Sequence, residues 1–189
     1  MEYLETGRFG RITKNLRKQG FELEMEKILH DSNDFKNLNK RDQTKYIENI
    51  MARMVDNIGQ DKTDNVLFVC GEQCCGKSWS DFAKRIWEYS ISFDDFFVNL
   101  NKEEEKFSTS FLYNSSNKSI TVNRKRCICG LIDKGEPFKA NKSFCKCSIG
   151  HMSVFFNSIF SVCNIELKKS IFNGDDKCEW IIKLNDKSK

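Results

Sequence analysis

The sequence predicts an α+β fold, helices first and an antiparallel sheet after them, on three observations. Apolar residues recur at three- and four-residue steps through the first hundred positions, and the texture changes after Glu103-Glu104-Glu105. The remainder reads as two hairpins around one further helix. With 189 residues the chain fits a single domain, 1–189. It divides into a mainly helical part over 1–104, an antiparallel α+β part over 105–186 and a short tail over 187–189.

Phe21 to His30 reads as a short amphipathic helix followed by the turn-like HDSNDFKN. The next helix is clearer, because Ile47, Ile50, Met51, Met54, Val55 and Ile58 share one face and Gly59 stops it. Asp61 suits the cap of the following segment, whose run Val66-Leu67-Phe68-Val69 fits a helix or a buried strand equally well. Helix resumes over Ser78 to Tyr89 and again after Ser92, with Phe93, Phe96, Phe97 and Leu100 in period. Phe107 to Tyr113 and Ser119 to Val122 flank Asn114-Ser-Ser-Asn-Lys118 as a hairpin. Ser148 to Phe160 reads as helix. A second hairpin, Val162 to Ile171 and Lys177 to Leu184, turns at Asn173-Gly174-Asp175. In its last strand Cys178, Trp180, Ile182 and Leu184 alternate with Glu179 and Lys183, so one face is buried.

Composition excludes several classes. A net charge of +4 arises from 31 basic and 27 acidic residues spread along the chain, with no basic block for nucleic acid or an anionic membrane. No apolar run suits a signal peptide or a membrane span, so the expected location is cytoplasmic. In a reducing compartment nine cysteines read as metal ligands, reactive thiols or buried filler rather than as a disulfide framework.

Cys127-Ile-Cys129 and Cys145-Lys-Cys147 are matched pairs separated by fifteen residues, with His151 just beyond and a loop expected over 131–143. Zinc takes four thiolate or imidazole ligands, which these residues supply, and an iron–sulfur cluster could use the same thiolates. In a regular strand the two side chains of C-x-C lie about 7 Å apart, so a turn or bulge must draw them together. Cys70 and Cys74 form a second group upstream. His151 is a ligand, a general base beside Cys145 or Cys147, or a histidine that satisfies nearby backbone. Cys74 and Cys75, ahead of Lys77 and a helix start at Ser78, are candidates for a reactive thiol. Cys163, in line with Ile165 and Leu167, and Cys178, in line with Trp180, read as core. Phe155, Phe156 and Phe160 suit a core or an aromatic-lined cavity. Gly71-Glu-Gln-Cys-Cys-Gly76-Lys77-Ser78 also fits the phosphate-loop pattern G-x-x-x-x-G-K-S, with Asp133 the best acidic-strand residue, but that loop must follow a strand.

Arg126-Cys-Ile-Cys129, Phe144-Cys-Lys-Cys-Ser-Ile-Gly-His151, and Gly174-Asp-Asp-Lys-Cys178-Glu-Trp180, with Cys70-Gly-Glu-Gln-Cys74-Cys75 upstream, resemble an uncharacterised family of bacterial cysteine-rich proteins. The C-terminal half is similar to the 4-vinyl reductase-type small-molecule-binding domain. That resemblance implies an α+β ligand-binding fold with an internal apolar pocket and, in some members, a zinc site. Cys147 and Cys178 fall on two zinc-ligating positions, whereas a third falls on Ser170 and the glutamate on Leu167, with Glu166 one residue away. Cys70, Cys74, Cys127, Cys129 and Cys145 would have to replace the missing ligands. A more distant similarity to a hydrolase of 2-amino-thiazoline carboxylate brings in an enzyme.

The combined expectation is a cytoplasmic, zinc-binding domain that binds or senses a partly apolar small molecule, with no nucleic-acid or membrane partner and with a homodimer left open. The expected metal ligands are drawn from Cys70, Cys74, Cys127, Cys129, Cys145, Cys147 and His151. The alternatives are a thiol-dependent hydrolase and a nucleotide binder acting through Gly71–Ser78.

Overall fold

A computed structural model of the chain describes residues 3–127, 129–131 and 142–185. Most of the loop expected over 131–143, Asp133 with it, and the tail over 187–189 lie outside the described residues. The helices are α1 (Gly7–Lys18), α2 (Glu22–Leu29), α3 (Lys40–Ile58), α4 (Gln60–Tyr89), α5 (Phe93–Glu104) and α6 (Lys146–Asn157). The strands are β1 (Thr109–Asn114), β2 (Ser119–Arg124), β3 (Val162–Lys169) and β4 (Cys178–Leu184). Two compact units result: Met1–Cys74 with Ile128–Gly150, and Cys75–Cys127 with His151–Lys189.

In the first unit α1, α2 and α3 pack through the faces that the apolar period selects, with Phe9, Ile12, Leu16, Ile28, Ile47, Ile50 and Met54 nearly or wholly buried. Phe9 stacks on Phe35 at 4.7 Å, and both meet Tyr46. Asn39 caps α3 by accepting from the Asp42 amide, and Gly59 ends it. Arg53 donates to both carboxylate oxygens of Asp31 at 2.9 and 3.3 Å.

Val66 to Val69 is helix, not strand. Thr63, Val66, Leu67 and Cys70 extend the apolar run into a buried 3.6-residue period, and this period decides the ambiguity. α4 breaks at Gly76, whose φ of 60° and ψ of 176° lie outside the helical region. Helix resumes at once, as expected near Ser78. With no strand ahead of Gly71 and a four-stranded antiparallel sheet elsewhere, the phosphate-loop reading is overturned.

The second unit is built on the sheet, ordered β1-β2-β4-β3 with every pairing antiparallel. α5 is clamped to β1 by Asn101, which donates to Phe111 O at 2.9 Å and accepts from Phe111 N at 2.7 Å. Phe160 stacks on Phe93 at 4.9 Å and meets Trp87 and Phe96 edge-on, and Phe155, Phe156 and Phe160 are buried in the core. β4 alternates as the sequence predicts, with Cys178, Trp180, Ile182 and Leu184 inward. Cys163 departs from expectation. A register shift between Val162 and Asn164 breaks the two-residue alternation, and Cys163 is exposed while Ile165 and Leu167 are half-buried. Among the described residues, no helix is long and apolar enough to cross a membrane.

The two cysteines should therefore differ on truncation. Cys178→Ala should lower stability by about 1 kcal/mol through lost packing, whereas Cys163→Ala should stay within about 0.5 kcal/mol of the parent. Urea denaturation of the two variants checks this, and equal losses would contradict the burial difference.

Candidate functional site

Within the first unit, α4 and α6 touch through their backbones. A Cβ on Gly71 would sit 1.9 Å from the Cys147 carbonyl oxygen, and a Cβ on Gly150 would sit 2.0 Å from that of Phe68. Only hydrogen fits at either point. Gly150 therefore serves the crossing, and α6 begins at Lys146, ahead of the expected start at Ser148. Lys146 is held by Asp64 at 2.9 Å. Burial pushes the Asp64 carboxyl up, but hydrogen bonds from Ser143, Lys146 and Gln60 outweigh it and hold the group below the usual range.

This crossing brings thiols together. Cys147 is surrounded densely enough that burial pushes its pKa well up, and the neighbouring thiols of Cys129, Cys145, Cys70 and Cys74 push it further. Cys70, buried on α4, is pushed up to about 11 by burial, against the opposing effects of Asn15 and the Arg11 charge. Asn15 Nδ2 lies 3.3 Å from Cys70 Sγ, and the same amide exchanges hydrogen bonds with Gln73 at 2.9 and 3.0 Å. Cys74 is exposed, and Cys129 and Cys145 are half-buried.

The other C-x-C thiol has different neighbours. Cys127 belongs to the second unit, beside Arg124 and Cys178. Burial and Cys127 push the Cys178 thiol up, while Ser170 hydrogen-bonds to it. Cys178 and Ser170, two of the positions implied by the 4-vinyl reductase resemblance, are thus adjacent. His151 also lies in the second unit, in the interior of α6, edge-on to Trp79 at 5.8 Å. Burial and the Arg124 charge lower its pKa to about 4, so the imidazole is neutral at physiological pH. Among the described residues, no three Cys, His, Asp or Glu side chains form a group that could hold a metal ion as they stand.

Asn15, Gln73, Glu104 and Arg124 did not emerge from the sequence reading. Nothing in the sequence joins Asn15 to Gln73. Glu104 and Arg124 left a signal: each sits where its element's apolar period calls for a core residue, and both are buried, with Arg124 Nη2 lying 3.7 Å from Glu104 Oε2.

The model of the family of unknown function DUF6144 matches residues 9–189. The chain belongs to this family. No curated protein matches it in sequence. Solved structures similar to it include an H-NOX protein from S. oneidensis in the Fe(II)NO ligation state, at 11% identity and TM-score 0.48, covering 95% of this chain and 98% of that one. A mutant of an H-NOX protein from S. oneidensis in the Fe(II) ligation state matches at 11% identity and TM-score 0.49, covering 95% of each chain. Neither is described as a 4-vinyl reductase-type domain. The fold of this DUF6144 chain is helices followed by a four-stranded antiparallel sheet.

Gly71→Ala should cost about 2 kcal/mol, because the added methyl group overpacks backbone that cannot move aside. Thermal melts that leave Gly71→Ala and Gly150→Ala at the parent Tm would contradict the crossing. A pH dependence also follows for metal-free protein. The Cys70 pKa rises from 9.0 to about 11 on folding, so its contribution is fully present below the unfolded value. Stability should fall as pH climbs through that window, and Cys70→Ala should flatten the fall in denaturant midpoints.

Proposed function

We propose that this DUF6144 protein is a metal-binding, small-molecule-sensing domain in which Cys147, Cys70, Cys74, Cys129 and Cys145 take up one zinc ion. The observation that carries the reading is that Cys70, Cys74, Cys129 and Cys145 all lie near enough to the Cys147 thiol to add to burial in raising its pKa. Burial and the neighbouring thiols both oppose ionisation of the Cys147 thiol. A divalent cation removes that opposition and replaces the protons, which is why zinc affinity and thiol pKa are coupled.

The donor set fits zinc in kind and number, five sulfurs for four positions. The sulfurs must draw together on binding, since no ligand group is assembled among the described residues. Cys129 lies outside helix and strand, so its approach breaks no regular structure. His151 and Cys127 are left out, because neither acts on the Cys147 thiol. When bound, zinc would add folding free energy and neutralise the thiolates. The chain's own residues supply the rest: Asn15 and Gln73 orient Cys70, and Asp64 anchors the start of α6 through Lys146.

The thiol-dependent hydrolase receives less support. Of its candidate thiols, Cys75 is buried away from a substrate's reach, and exposed Cys74 neighbours Cys70 and Cys147, whose pKa values are shifted up, away from those of a nucleophile.

Elemental analysis of protein purified without added metal should find one zinc per chain. Cys147→Ser should lose that zinc and several degrees of Tm, while Cys163→Ser keeps both. Metal-free parent protein whose Tm does not respond to added zinc would refute the reading.

A further inference from the structure

The second unit buries an ion pair on faces that are otherwise apolar. Glu104 follows Phe96, Phe97 and Leu100 along α5, and Arg124 follows Ile120 and Val122 along β2; they are 2% and 7% exposed. Arg124 is shared among several partners. Its Nε donates to Thr109 Oγ1 at 2.9 Å, and its guanidinium lies 5.9 Å from the Trp180 ring centroid. The 3.7 Å separation from Glu104 is an ion pair but longer than a hydrogen bond. Burial pushes the Glu104 pKa up although Arg124 and Lys106 oppose the shift.

Glu104 lines a groove of about 230 Å³ with Ser78, Trp79, Phe82, Lys106 and Phe107. Trp79 and Phe82 meet edge to face at 5.5 Å, and Phe107 is 41% exposed. The Lys106 ammonium lies 5.4 Å from the Phe107 ring centroid, so that ring accepts a cation, and the lysine's own charge competes with a cationic ligand. The volume is below the roughly 300 Å³ at which drug-sized pockets begin, and suits a single ring.

We infer that this groove binds a small aromatic cation, an aryl amidine or arylalkyl amine, with its charged N–H groups on Glu104 and its ring against Trp79, Phe82 and Phe107. The ligand's N–H groups donate to the Glu104 carboxylate, which Arg124 meets only at ion-pair distance, and the aromatic wall holds the ring and its charge. An aromatic anion would meet the carboxylate instead. The assignment rests on the small-molecule half of the proposed function and is independent of the thiol cluster.

Calorimetric titration with benzamidine, benzyl alcohol and benzoate, on protein as purified and after chelation, tests it. Benzamidine should bind best in both preparations. Its Kd should weaken by about tenfold or more in Glu104→Gln and in Trp79→Leu, a change of about 1.4 kcal/mol, and tighten in Lys106→Gln. Trp79→Leu leaves the Glu104–Arg124 pair in place, so a folding defect in Glu104→Gln does not obscure the result. Benzyl alcohol or benzoate binding as tightly as benzamidine, with loss in Trp79→Leu, would overturn the cation while leaving a small-molecule site. Binding untouched by Trp79→Leu would overturn the groove, and no binding of any probe would overturn the assignment and the small-molecule reading together.

Discussion

The first unit depends on one steric constraint, the contact between the backbones of α4 and α6. Phe68 and Gly71 on one helix face Cys147 and Gly150 on the other, each glycine lying beneath the opposite carbonyl. The arrangement is nearly reciprocal, a three-residue step on each helix. Without side chains at the two contact points the axes approach more closely than ordinary ridges-into-grooves packing allows. That approach makes neighbours of Cys70 and Cys147, far apart in the chain. The electrostatic consequences for the thiols come after this geometry and depend on it.

The second unit rests on a different compromise. Its sheet and α5 enclose an aromatic core, yet the last turn of α5 and the end of β2 carry opposite charges into it. Replacing both by apolar side chains of similar volume would be expected to stabilise the domain, because buried ion pairs seldom recover their desolvation cost. Their presence is the local inconsistency that functional sites tend to show. His151 belongs to the same electrostatic setting: the Arg124 charge and burial both favour its neutral form. A charged pair thus interrupts the otherwise apolar core of the unit.

Much of the fold was legible in the sequence because the strongest periods coincide with the longest elements. Ile47 to Ile58 marks α3, and Cys178 to Leu184 marks β4. α1 was passed over because its buried face includes Thr13 and Asn15 beside Phe9, Ile12 and Leu16, which blunts the apolar stripe. Helix at Val66 to Val69 is specified by Thr63 and Cys70, one polar and the other a candidate ligand, residue types that do not mark a core face in the sequence. The displacement of Cys163 could not be read at all, since a bulge leaves no mark in composition or spacing. The candidate site was half legible. Matched C-x-C spacing singled out Cys129, Cys145 and Cys147, which are neighbours in the first unit, but Cys127 belongs to the second unit with different neighbours, a division set by tertiary contacts.

The irregularity of β3 also bears on self-association. β3 is an outer strand of the sheet, and an outer strand with free amides and carbonyls invites pairing with another copy. Its register shifts twice, between Val162 and Asn164 and between Leu167 and Lys169, and Glu166, Lys168 and Lys169 place charge along it. The same bulge that turns Cys163 outward therefore spoils the flat hydrogen-bonding template that a second sheet would need. In this respect the edge acts as a guard against runaway strand addition, and an exposed thiol is the by-product of that protection.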